Sequence, residues 1–171
     1  MTDPAAQLAT LGGLAGIDEA TLGELLSMFE RRVYDGVEIC RQGDSADRLW
    51  VLTHGTVRVV RTTAERLPVE VAQLQPTTLV GFSGLIGITS RSASLRAKGP
   101  VELWEMRTEH AITVLEQEAS HVGSALRRAL IAAVSRQLRS ANTNIAKLAV
   151  EGGLARRIVS EEHLLAANTL F

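Results

Sequence analysis

The sequence predicts a mainly β fold, a small antiparallel β-roll of jelly-roll type with flanking helices and one long C-terminal helix. Three observations carry this expectation. Between about residues 32 and 107, short alternating runs of apolar residues are punctuated by glycine-bearing turn signals. The segments before and after that region follow a helical period. One of them keeps a heptad spacing for about two and a half repeats.

The first element is a helix over "IDEATLGELLSMFERR", where Leu22, Leu25, Leu26 and Phe29 form an i, i+3, i+4, i+7 stripe and Asp18 stands at the N-cap. Six strands of four to seven residues follow: "VYDGVEIC", "DRLWVLTHG", "TVRVVRTT", "VEVAQLQP", "SASLRAKG" and "VELWEMR". Asp35-Gly36, Gly43-Asp44, His54-Gly55, Pro76 and Gly99-Pro100 mark the turns. Val57 and Val59 share one face of their strand while Arg58 points away. Many short strands at this spacing indicate an antiparallel sandwich or barrel.

"TEHAITVLEQEA" reads as a short helix, and a long helix runs from about residue 121 to 150. In the latter, Ile131, Val134, Leu138, Ala141, Ile145 and Leu148 are spaced 3-4-3-4-3, the seam of a helix that pairs with another helix. A homodimer is the expected use, and a helix packed once on its own barrel is the alternative. Three units result: a roll over 1–120, the dimerisation helix over 121–150, and a tail over 151–171. In the tail a Gly-Gly break precedes a short amphipathic helix through Leu154, Ile158 and Leu165. The head "MTDPAAQLATLGG" and the tail "LLAANTLF" are either docking peptides or frayed ends.

Composition narrows the function. With 171 residues, 46% hydrophobic and 22% charged, the chain can build one ordinary core. A balance of 18 Lys+Arg against 19 Asp+Glu argues against non-specific nucleic-acid binding. The head lacks the positive charge of a signal peptide, and no apolar run approaches the ~20 residues that span a bilayer. A cytoplasmic, bacterial protein is expected. Cys40 has no disulfide partner and reads as a packed small residue rather than a nucleophile or haem ligand. His54, His110, His121 and His163 have no zinc spacing, and no phosphate loop or nucleophile elbow occurs. No enzyme and no metal are expected.

"GVEICRQGDSADRLWVLTHGTVRVV" resembles the cyclic-nucleotide-binding domain of the catabolite-activator (Crp/Fnr-like) superfamily through Gly36, Ile39, Gly43-Asp44, Trp50 to Leu52, and Gly55. "SRSASLRAK" is similar to the Arg-(Ser/Thr)-Ala motif that closes that family's phosphate-binding cassette, and "NIAKLAVEGGLARRIV" resembles the end of its dimer helix and the hinge. The resemblance spans roughly residues 8–160. It implies a regulatory module whose ligand is a cyclic nucleotide, cAMP or cGMP.

The chemistry of the cassette agrees in part. A cyclic phosphodiester is a monoanion. Backbone N–H groups at a short helix start bind it, here Gly81, Ser83, Gly84 and Leu85, and so does a guanidinium, here Arg91, with the Ser92 hydroxyl added. The structural alternative pairs Arg91 with a surface acid. The family usually carries glutamate where this chain has Phe82, and the resemblance implies that this glutamate accepts from the ribose 2′-hydroxyl. Losing such a bond costs ~1.5–3 kcal/mol, roughly 10- to 150-fold in affinity. Phe82 is therefore a degenerate pocket position. The resemblance places the base reader on the long helix, where Gln137 and Arg139 offer polar groups.

Only about 20 residues follow Gly152-Gly153, too few for the family's winged helix-turn-helix, and "ARRIVSEEHLL" mixes charges of both signs. Direct DNA binding is not expected. The leading expectation is a sensor that passes pocket occupancy to a protein partner. The alternatives are a ligand-free scaffold, or a DNA-binding regulator lacking most of its DNA-binding domain.

Overall fold

A computed structural model of the chain describes residues 4–64 and 66–151. The elements are α1 (Pro4–Ala9), α2 (Glu19–Ser27), β1 (Glu30–Asp35), β2 (Glu38–Cys40), β3 (Arg48–Thr62), β4 (Pro68–Leu74), β5 (Thr78–Val80), a 3₁₀ turn (Phe82–Ile86), β6 (Ser94–Arg107), α3 (Thr108–Glu116) and α4 (His121–Glu151). They fall into two compact units that divide between Ala133 and Val134. The division lies inside the long helix.

Helix α2 begins where its cap residue dictates. Asp18 Oδ1 accepts from the Thr21 N–H and Oδ2 from the Thr21 hydroxyl, both at 2.8 Å. Leu22, Leu25 and Phe29 bury its stripe, but the helix stops at Ser27 and β1 starts at Glu30. The stretch "VYDGVEIC" splits at Gly36, which takes φ 65, so it forms parts of two strands.

The six strands make one antiparallel sheet in the order β1-β6-β3-β4, with β2 also on β6 and β5 also on β3. Two expected turns are absent. His54-Gly55 and Gly99-Pro100 sit inside strands of 15 and 14 residues instead of separating short ones. The reason is local. Gly55 has φ 83 and Gly99 φ 74, and the β3–β6 register shifts on both sides of His54. These are bulges, which bend a ladder without ending it. The two bends also nest, since a Cβ on Gly55 would lie 2.3 Å from the Pro100 carbonyl oxygen. Each long strand can then pair with different neighbours along its two halves, which is how six strands close into a roll.

Side-chain alternation on β3 separates two cores. Leu49 and Val51 join a cluster with Leu22, Leu25, Met106 and Leu126 from the helices and β6. Trp50 and Leu52 join the roll interior with Val57, Val80, Val101 and Leu103. The described part of the head is docked: Leu8, Leu11 and Leu14 are all buried in the helical cluster. Gly13 makes that docking possible, because a Cβ there would lie 2.3 Å from the Arg128 carbonyl oxygen.

Helix α4 buries Val122, Ala125, Leu126, Ala129 and Ala133. The seam residues do not follow them inward. Ile131, Val134, Leu138, Ile145 and Leu148 are 44–66% exposed and Ala141 is exposed too. No helix among the described residues is long and apolar enough to cross a membrane. The expected tail over 151–171, with its Leu154, Ile158 and Leu165 stripe, lies beyond Glu151 and outside the described residues.

Candidate functional site

The loop carrying Arg91 is held by backbone bonds to the turn at Gly43-Asp44. The Arg91 N–H donates to the Asp44 carbonyl at 2.8 Å, and the Gly43 N–H donates to the Arg91 carbonyl at 2.9 Å. Asp44 in turn accepts from the Arg41 N–H at 2.8 Å, which closes the turn that the Gly-Asp pair signals. These contacts send the Arg91 side chain inward, where it is only 6% exposed. Nη1 donates to the Gly81 carbonyl at 2.9 Å and Nη2 to the Arg48 carbonyl at 2.7 Å. The guanidinium lies 4.5 Å from the centre of the Trp50 ring, a cation–π contact. Asp47 is 3.9 Å away, the one carboxylate near it and an exposed one.

The surface-acid alternative therefore describes Arg91 poorly. Burial pulls its guanidinium below the ordinary arginine pKa, offset by the neighbouring Cys40, Asp47 and Asp44 groups. Its Nε is buried without a hydrogen-bond partner, which is unusual for a charged group and leaves one donor unused.

Trp50 ties Arg91 to a second buried charge. The Trp50 Nε1–H donates to Glu105 Oε2 at 2.8 Å, and Arg48 Nη1 donates to Glu105 Oε1 at 2.5 Å. Glu105 is 7% exposed. Arg48, Trp50, Arg91 and Glu105 line one cavity of about 290 Å³. Tyr34, Ile39 and Cys40 close it from β1 and β2, and Asp44, Ser45 and Asp47 rim it. Burial pushes the Cys40 thiol up, so the group stays in its unreactive form, as a packed small residue would.

A larger cleft of about 510 Å³ lies across the Ser45–Arg48 segment, between the Gly84–Thr89 region and the start of α3. None of its charged side chains is buried. The smaller cavity concentrates the chemistry and is the candidate site.

Of the residues the sequence offered for ligand binding, only Arg91 lines that cavity, joined by Ile39, Asp44 and Trp50 of the family pattern and by Cys40. Gly81 caps the 3₁₀ turn in the left-handed region with φ 76 and meets Arg91 through its carbonyl. A side chain there would strike the Trp50 ring at 2.7 Å. Gly84 instead lines the larger cleft, where its missing Cβ lets Ala46 approach. Ser83 and Leu85 are half-buried and line neither cavity, and Ser92 is exposed and lines neither. The short helix start expected here is a 3₁₀ turn of five residues, Phe82–Ile86. Phe82 packs with Leu85 against the helical cluster, so its ring does not fill the roll. Gln137 and Arg139 are exposed in the second unit, whereas every residue lining the cavity belongs to the first.

Glu105 and Arg48 were missed, and Trp50 was read only as part of the family pattern, not as a site residue. Glu105 had a signal, since it continues the inward alternation of Val101 and Leu103 and is the one charged residue on that stripe. Among the described residues, no cluster of three His, Cys, Asp or Glu side chains could hold a metal ion.

Comparison with known proteins agrees with this architecture. The chain is similar to the catabolite activator protein of Thermus thermophilus, with 28% identity and a TM-score of 0.67 over 80% of this chain and 62% of that one. It is similar to the N-terminal domain of a transcriptional regulator from Streptomyces coelicolor, with 27% identity, a TM-score of 0.63, and 82% and 96% coverage. A cyclic nucleotide-binding domain from Methylobacillus flagellatus has the same fold at 17% identity, with a TM-score of 0.74 and 84% and 83% coverage. The chain thus spans less than two thirds of the catabolite activator's length. Comparison with curated proteins gives no match. The family profile for the cyclic nucleotide-binding domain matches residues 30–118, which run from β1 through the cavity to the end of α3. The chain belongs to the cyclic nucleotide-binding domain family.

Proposed function

We propose that this chain is a non-enzymatic sensor, which binds a cyclic nucleotide in the cavity beside Arg91 and passes occupancy to a protein partner. The observation that carries the reading is a buried arginine with a spare donor. A guanidinium withdrawn from water needs anionic or carbonyl partners, and Nε has none. A phosphodiester entering the cavity meets the positive charge of that guanidinium, while the Gly81 and Arg48 carbonyls hold the fork in place. Trp50 and Tyr34 offer aromatic surface for the rest of the ligand.

The exposed 3-4-3-4-3 seam supports a homodimer. Five apolar side chains at 44–66% exposure on one helix stripe favour burial against a second copy. Coupling follows if the ligand binds one arrangement of the paired helices better than another.

Titration calorimetry with cAMP, cGMP and cyclic dinucleotides tests the reading. Micromolar binding of one of them by the wild type, weakened at least tenfold in Arg91→Lys, is the expected result. Lysine keeps the charge and removes the fork. No heat from any of them, with a folded dimer, overturns it. A second reading, a scaffold that no longer uses the pocket, rests on Phe82, which offers no acceptor to a ligand hydroxyl.

A further inference from the structure

We propose that Glu105 reads a hydroxyl on the ligand, so that anion and hydroxyl are recognised by the two buried charges of one cavity. This rests on the sensor reading above. Among the described residues, Arg91 and Glu105 are the two charged side chains that are buried, and both line the same cavity. A buried carboxylate is costly unless it is satisfied, and here Arg48 and the Trp50 indole each give it one donor. An ionised carboxylate has about four acceptor sites, so these two donors, with the Arg32 Nε 3.8 Å from Oε1, leave capacity for one more.

The geometry links the two charges. Trp50 carries the Arg91 guanidinium 4.5 Å from its ring centre and holds Glu105 2.8 Å from its Nε1. Arg91 and Glu105 line the same cavity, so a ligand held there meets both a cation and an acceptor. The cassette offers no competing acceptor, because Phe82 has none and packs toward the helices. The matching ligand class is a small anion with a free hydroxyl a few bond lengths from its charge. In a cyclic nucleotide that hydroxyl is the ribose 2′-OH.

The probes are cAMP and 2′-deoxy-cAMP, or the guanosine pair if cGMP is the tighter ligand. The wild type should prefer the hydroxylated member by roughly 10- to 150-fold, the value of one charged hydrogen bond. Glu105→Gln should shrink the preference below about threefold, with the deoxy analogue bound much as before. A merely structural Glu105 would change both affinities together and leave their ratio intact, and that result overturns the proposal. Equal binding of the two probes by the wild type, with binding still dependent on Arg91, also overturns it while leaving the sensor reading standing. The comparison of the two probes on the wild type needs no Glu105 variant to fold. Absence of binding by either probe overturns the proposal, and the sensor reading falls with it only if the cyclic dinucleotides also give no heat.

Discussion

Replacing Arg91 by alanine should cost the fold as well as the ligand. The guanidinium satisfies two carbonyls, Gly81 at 2.9 Å and Arg48 at 2.7 Å, and stacks on Trp50 at 4.5 Å. Hydrogen bonds to a charged group contribute ~1.5–3 kcal/mol each, and a desolvated cation–π contact about 1–2 kcal/mol. Deletion recovers part of this, because the buried cation no longer pays desolvation and its Nε is no longer unpaired. The net loss should be about 2–4 kcal/mol, set mainly by the two carbonyls left without donors. At roughly 2–4 °C per kcal/mol for a chain of this size, the midpoint should fall by about 5–15 °C. Urea unfolding followed by far-ultraviolet circular dichroism measures it, with Arg91→Lys expected between alanine and wild type. A destabilisation below about 0.5 kcal/mol would refute the reasoning, because surface substitutions cost that little and Arg91 would then not be held as described.

Other outcomes test other parts of the structure. Leu138→Asp should convert a dimer to a monomer by light scattering with little change in the thermal midpoint, since Leu138 is 60% exposed in the single chain; a monomeric wild type at micromolar concentration would overturn the seam reading. Gly55→Ala should destabilise by at least about 2 kcal/mol, because its φ of 83 and the Pro100 carbonyl 2.3 Å from the new Cβ act together. Gly36→Ala, with φ 65 but open space, should cost only about 1–2 kcal/mol, and equal losses would contradict the nested bends. The Thr21 N–H and hydroxyl hold the Asp18 carboxyl below the usual carboxylate range. A depressed folded-state pKa gives stability that is present above the unfolded value, about 4, and lost as pH falls through the folded one. The acid limb of the thermal stability profile should therefore flatten in Asp18→Asn, and an unchanged slope would count against the cap.

The degree to which each feature was readable follows from how local it is. Helix α2 was legible because Asp18 and the Leu22, Leu25, Phe29 stripe act within a few turns of chain. The turn at Gly43-Asp44 was legible for the same reason. Gly55 and Gly99 misled, since a positive-φ glycine marks a chain reversal and a bulge alike, and the partner strand decides between them. The head looked like a loose end because six helical residues have little stability alone. Packing on α4 is what fixes Leu8, Leu11 and Leu14.

By itself the sequence determined the alternating strands of the roll, the capped helix, the heptad seam and the presence of one arginine in a segment of small residues. It also determined that Phe82 offers no acceptor. Only the tertiary structure decided that Trp50 and Glu105, 55 positions apart, hydrogen-bond in the roll interior. It likewise decided that Arg91 reaches the Arg48 carbonyl across 43 positions. Side-chain period and turn chemistry are set by neighbours along the chain. A cavity that holds two buried charges is set by which strands pair and in which register, and no short window of sequence contains that information.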